Sequence, residues 1–357
     1  MHLPPQGQLY PTMPVQLTYE EPAPPAAIDI SSYRTSLTIY VNGTRHLVAE
    51  ARPAGTLLEW LRSIGLTGTK LGCGEGGCGA CTVMVSSVVP ATGELRHAAV
   101  NACLMPLCAA DWCAVTTVEG LGSARTSLHP VQQRLVELHG SQCGFCTPGI
   151  VMAMYSLFRA DPTLSVSRLE ESMDGNLCRC TGYRPIWDAA KSLCTDAERE
   201  ACGCGEGGGE SGKGGCGSEG GGGCCGTVED PVEESVSDTG AKLRQAGCDV
   251  PYAQTPAAAK EPGFPDELRS VAPRALRMVH GNAVWWCPAQ LDDLLALKDA
   301  YPMARLVAGN TELGIERRYK GVEADVVLSA TAVPELMQCV DEEVLALDHW
   351  PKRTRTV

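Results

Sequence analysis

Four cysteines open the chemistry of this chain: Cys73, Cys78, Cys81 and Cys103. The first three follow a C-x4-C-x2-C spacing, and the fourth comes 22 residues after Cys81. Thiolates at this spacing are the ligand pattern of plant-type 2Fe–2S centres. The loop that carries them, LGCGEGGCGAC, has glycine at 72, 74, 76, 77 and 79. A cluster with bridging sulfides needs backbone wrapped closely around it and N–H groups aimed at sulfur, and glycine permits both the approach and positive φ. Zinc is the competing reading. Structural zinc sites more often pair C-x2-C units, so this glycine-rich loop fits zinc poorly.

A second set is Cys143, Cys146, Cys178 and Cys180, in QCGFC and NLCRC. The C-x2-C pair precedes a helix opened by Pro148, and the C-x-C pair precedes a helix beginning near Tyr183. Two ligand pairs at two helix N-termini can converge on one cluster, and the helix-end N–H groups favour its negative charge. Spacing alone also leaves zinc open here.

Composition narrows the field. The chain has 357 residues, 19 cysteines and a net charge of −13. Acidity argues against a nucleic-acid surface. No run of 18 apolar residues appears, and the first 25 residues carry neither a secretory nor an Arg-rich targeting pattern. A cytoplasmic location and reduced thiols are therefore expected, with cysteine serving metal ligation, catalysis or burial.

The elements around the ligands read as follows. Residues 1–34 are Pro-rich and expected to be a disordered arm. TSLTIYV–NG–TRHLVAE is a hairpin signal. TLLEWLRSI has helical spacing with Thr56 as N-cap. CTVMVSSVV and WCAVTTV read as strands. Residues 35–121 thus form a small α+β domain with a sheet wrapped around one helix. Residues 122–201 read as four helices: one at Pro130, one at Pro148, one capped by Ser165 or Ser167 (Glu170 in capping-box position to Ser167), and one from Tyr183. Residues 202–275 read as a low-complexity linker, since 14 of the 25 residues in 202–226 are glycine. Its five cysteines lack a regular ligand repeat, which favours a linker over a thiolate metal store. From 276 the pattern recovers: VWWCPAQ, the helix LDDLLALKDAYP, then strand, Gly-containing turn and helix in RLVAGNTELGIERRYKG, then the strand ADVVLSA.

LGCGEGGCGAC, NAC, GSQCGFCTPGIVM and GNLCRCTGYRPI, in that order, closely resemble the N-terminal iron–sulfur half of the xanthine dehydrogenase and aldehyde oxidase family of molybdenum hydroxylases. The resemblance covers residues 35–195. It implies a multidomain α+β chain: a β-grasp 2Fe–2S ferredoxin domain and a four-helix domain with a second 2Fe–2S cluster. Cys73, Cys78, Cys81 and Cys103 would hold the first cluster; Cys143, Cys146, Cys178 and Cys180 the second. LVAGNTELGIERRYKG resembles the family's FAD pyrophosphate-binding segment. The carried-over residues are Leu306, Val307, Ala308, Gly309, Asn310, Thr311, Glu312 and Leu313, with Gly309, Asn310 and Thr311 against phosphate oxygens. Residues 276–357 would then be an incomplete FAD-binding domain of the PCMH type. The wording GNTELGIE is nearer to the dehydrogenases than to the oxidases.

As an expectation, electrons pass from a molybdenum site through the helical-domain cluster, the ferredoxin-domain cluster and FAD to NAD or oxygen. The molybdopterin part is absent from this sequence. It would come from a longer chain, of which this is a truncated product or fragment, or from a partner domain or subunit; a homodimer is a further expectation. The alternative is a stand-alone iron–sulfur module. Neither nucleic acid nor membrane is expected as a partner, and no residue here is assigned to purine chemistry itself. Cys108 and Cys113 read as buried small hydrophobes, and Trp285 and Trp286 as core. The resemblance would place Gln142 between a cluster and the pterin; as an isolated residue it reads as surface.

Overall fold

The structure, a computed structural model, describes residues 24–26, 28–89, 92–197, 251–254, 263–269 and 275–337. The arm's first 23 residues, the Gly/Cys tract 202–226 and the tail HWPKRTRTV lie outside the described residues.

The hairpin forms as expected, with β1 (Leu37–Val41) antiparallel to β2 (Thr44–Val48). Asn42 and Gly43 turn it at φ 49° and 81°, the positive φ values a tight two-residue turn requires. α1 (Leu57–Ser63) begins in a full capping box: Thr56 accepts from Glu59 N, and the Glu59 carboxylate accepts from Thr56 N. It buries Leu57, Leu58 and Leu61.

β3 (Thr82–Val88) and β5 (Cys113–Thr116) match the two further predicted strands. Between them stands a strand the sequence reading missed, β4 (Leu95–Asn101). Its pattern, LRHAAVN, is half-exposed along its length at the sheet edge, so it lacks the clean alternation of an amphipathic strand. The sheet order is β2-β1-β5-β3-β4.

The helices after residue 122 are α2 (Pro130–Glu137), α3 (Thr147–Ala160), α4 (Val166–Ser172) and α5 (Arg184–Lys191). Proline occupies the first turn of α2, α3 and α5, where its missing N–H costs nothing. Ser165, not Ser167, caps α4, accepting from Arg168 N at 3.3 Å. α3 is buried on all sides from Gly149 to Ser156. It packs against β3 and β4 as well as α2, and Met152 and Tyr155 meet Met84 of the sheet in one buried cluster. The two cluster-bearing units therefore share a core.

The C-terminal unit contains β6 (Leu276–His280), β7 (Ala283–Cys287), α6 (Leu291–Ala300), β8 (Arg305–Val307), α7 (Leu313–Lys320), β9 (Val326–Ser329) and α8 (Pro334–Met337). Its sheet runs β6-β7-β9-β8. Strand alternation sends the two tryptophans to opposite faces. Trp285 joins the core that contains Leu37, Leu57 and Val83 of the first unit, while Trp286 packs with Leu294 and Leu297 of α6. Each is 1% exposed, so both are core. Cys108 and Cys113 are buried as expected.

Two segments are more structured than their composition announced. Residues 28–34, assigned to the arm, dock on the C-terminal unit. Ile28 and Tyr33 are buried there, Tyr33 meets the Trp286 ring edge-on at 5.1 Å, and Arg34 forms a two-pronged ion pair with Asp111. The apolar and aromatic residues of IDISSYR, hidden behind a proline-rich prefix, give this segment something to bury. Within the stretch assigned to the linker, Tyr252 is buried against Phe158 and the helical core, and Phe264 and Leu268 are buried too.

Candidate cluster and flavin sites

The register of β3 against β4 assembles the first set. Thr82 pairs with Asn101, so the chain returns to the start of β3 just as Cys103 follows. Ala102 N donates to Cys81 O at 3.2 Å. The 22-residue gap is thus closed by an antiparallel hairpin, which the ligand spacing alone did not reveal. The glycine loop does the rest. Cys73 N donates to Cys78 Sγ at 3.3 Å and Glu75 N to Cys73 Sγ at 3.4 Å. A Cβ on Gly72 would stand 2.6 Å from Cys78 Sγ, so only glycine lets the backbone come this close. Asn101 braces the loop by donating to Gly76 O at 3.0 Å.

The thiols stand in pairs. Cys73 hydrogen-bonds Cys78, and Cys81 hydrogen-bonds Cys103. The hydrogen bond from Cys81 pulls Cys103 down to about 6, with help from Gly76 N and the charge of Arg318, against an opposing effect of burial. That same bond, and then burial, holds the proton on Cys81. Metal binding would displace it.

The second set converges as its two helix starts implied. Cys146 is the N-cap of α3, and Cys180 lies just before α5. Cys143 hydrogen-bonds Cys180, and Cys146 hydrogen-bonds Cys178. Cys143 is shifted down by Phe145 N and then by the Cys180 thiol. Cys146 is pushed up to about 12 by burial and then by its bond with Cys178. Thr181 Oγ1 lies 3.1 Å from Cys178 Sγ, and Cys178 N donates to Tyr183 Oη at 2.8 Å.

Among the described residues, no three His, Cys, Asp or Glu side chains cluster tightly enough to hold a single metal ion. The thiols stand two by two in each set. A binuclear cluster takes two thiolates at each iron, and the paired donors fit it.

The two cluster loops touch. Leu177 N donates to Cys78 O at 2.9 Å, which joins a ligand of the first set to the residue before a ligand of the second. Asn176 Nδ2 donates to Gly79 O at 3.0 Å. Gly79 and Gly149 make this approach possible, because a Cβ on Gly79 would strike Asn176 and Gly175 O, and one on Gly149 would strike Gly79 O. Asn176 and Asn101 were not singled out from sequence. Each sits in a quoted motif beside a ligand, and that adjacency was the available signal.

The segment 306–313 spans the end of β8 and the start of α7. Val307 and Leu313 are buried in the core shared with the first unit. Leu306, Ala308, Gly309, Thr311 and Glu312 are exposed. Asn310, at φ 55°, turns inward and donates to Leu104 O at 2.8 Å. Its amide NH2 therefore ties the loop to the first unit. Beside it is a cleft of about 830 Å³, whose lining includes Cys103, Gly74, Asn310, Arg317 and Arg318. The volume falls within the cofactor range, and the two guanidiniums suit a pyrophosphate, so the residues present fit a flavin nucleotide. Gln142 is exposed at the surface.

Family models match three successive stretches. A 2Fe-2S iron-sulfur cluster binding domain matches residues 39–108, a [2Fe-2S] binding domain residues 117–191, and an FAD binding domain in molybdopterin dehydrogenase residues 274–344. Xanthine dehydrogenase of Drosophila pseudoobscura pseudoobscura is 44% identical over 313 residues, 87% of this chain and 22% of that protein. Aldehyde oxidase 1 of Cavia porcellus is 44% identical over 311 residues, 85% of this chain and 22% of that protein. Quinoline 2-oxidoreductase from Pseudomonas putida 86 has a solved chain, 36% identical, matched over 48% of this chain and 97% of that one with a TM-score of 0.38. The chain spans about a fifth of the length of the dehydrogenase and oxidase it matches. Their equal identities do not separate the two.

Proposed function

The chain corresponds to the N-terminal portion of the xanthine dehydrogenase and aldehyde oxidase family, and on that premise we propose that it is the electron-transfer part of a molybdenum hydroxylase. The observation that carries this is the meeting of two four-cysteine sets through the Leu177 N to Cys78 O hydrogen bond. When bound, two 2Fe–2S clusters and FAD would supply one-electron relay and a two-electron outlet. Cys73, Cys78, Cys81 and Cys103 hold the first cluster, and Cys143, Cys146, Cys178 and Cys180 the second. The β-grasp and PCMH-type descriptions belong to the same proposal.

Direction follows from placement. Cys143 and Cys180 are exposed, and the apolar Phe145 and Leu177 beside them are 49% and 59% exposed. This rim suits cover by a molybdopterin-bearing body, where electrons would enter. Cys103 lies on the flavin-side cleft, where they would leave. Leu306 to Leu313 bind the flavin pyrophosphate mainly through exposed backbone and the Thr311 hydroxyl. A purine substrate is proposed on the dehydrogenase-like wording GNTELGIE, with NAD or oxygen as acceptor. All twelve described cysteines are free thiols, which supports a reducing, cytoplasmic setting.

Purified chain alone should bind iron and sulfide but not hydroxylate xanthine. Purine turnover without any other subunit would overturn the proposal. The second reading, a stand-alone iron–sulfur subunit, rests on the same exposed rim. Co-purification with a separate molybdopterin protein supports it; a reading frame that continues into such a domain decides against it.

A further inference from the structure

Arg318 stands over the first cluster loop from the opposite unit. A Cβ added to Gly74 would collide with its guanidinium. Gly74 takes a φ of 72°, and the Arg318 guanidinium lies against its open face. The helix that carries Arg318 also touches the first unit. Tyr319 Oη donates to Cys73 O at 3.4 Å, and a Cβ on Gly314 would meet Leu104 Cδ2 at 3.4 Å. Among the described residues no carboxylate pairs with Arg318. Arg305, by contrast, is paired with Glu316, and so is Lys320. The one carboxylate in the cluster loop, Glu75, is exposed. Arg318 and Cys103 line the same cleft.

A cation held against the loop that carries these thiolates favours the more negative, reduced state of whatever cluster they hold. We propose that Arg318 is a positioning residue that raises the reduction potential of the first cluster above the value its thiolates alone would give. Through Arg318 the flavin-binding unit makes the first cluster a better acceptor for an electron arriving from the second. The inference rests on the cluster assignment above. Each reduction adds one electron and moves no atom.

The test is an electrochemical titration of the purified chain, followed by electron paramagnetic resonance, with the second cluster as internal reference. In Arg318→Gln the reduced-to-oxidised ratio of the first cluster, at a fixed potential, should fall about three- to tenfold; tenfold is about 59 mV for one electron. Arg318→Lys should retain most of the wild-type value, and Arg318→Glu should lie below Arg318→Gln. The second cluster should not move. A first-cluster potential indifferent to the charge at 318, or an equal shift of both clusters, overturns the proposal. So does loss of flavin at an unchanged cluster potential, which would assign Arg318 to the flavin instead. Chain that assembles no cluster at all would contradict the underlying assignment instead.

Discussion

At the scale of single residues, the ligand cysteines and the glycines do different work. Cys103→Ser removes one ligand of the first cluster and leaves the second set intact. Iron should fall from about four per chain to about two, with one set of cluster signals retained; loss of all iron would show that the two sites are not separable. Gly149 is the sharper case. Its alanine variant places a methyl group against Gly79 O, where backbone offers no room. Overpacking of this kind costs about 1–3 kcal/mol, so Gly149→Ala should lower the melting temperature and weaken exchange between the clusters. An unchanged melting temperature would show that the contact can relax. The two four-cysteine sets and the glycine loop stand out in the sequence by residue type and spacing, and the proposed ligand roles start from them. Asn101, Asn176 and Gly149 were not singled out, because their roles are fixed by what they touch far along the chain.

Among the elements, those with local signals were read correctly. The Asn42-Gly43 turn, the Thr56 cap and the prolines opening α2, α3 and α5 need only a few neighbouring residues. Thr56→Ala removes a capping box and should cost about 1 kcal/mol, measured by denaturant unfolding. β4 was missed because its half-exposed edge position leaves no clear period, although it closes the ligand gap. The segment 28–34 was read as an arm for a similar reason, since its partners are Trp286 and Asp111, far away in sequence. Tyr33→Ala should therefore destabilise the chain by about 3 kcal/mol, whereas a flexible arm would give no change.

At the scale of the whole molecule, the three units are joined by shared cores. α3 links the helical unit to the first sheet, and Trp285 links the C-terminal unit to it. The order of the chain was plain from its motifs, but this sharing was not, because α3 is apolar on every side and its sequence does not say which neighbour each side meets. The consequence is that the two cysteine sets meet at the Leu177 N to Cys78 O hydrogen bond, with the second set open at the rim beside Cys143 and Cys103 of the first on the cleft beside Asn310. Described helices include none long and apolar enough to cross a membrane. The most direct test is the visible absorption spectrum of anaerobically purified chain, with iron, acid-labile sulfide and zinc quantified together. The expected result is a brown protein with about four iron and four sulfide per chain. A colourless protein holding stoichiometric zinc would contradict the assignment.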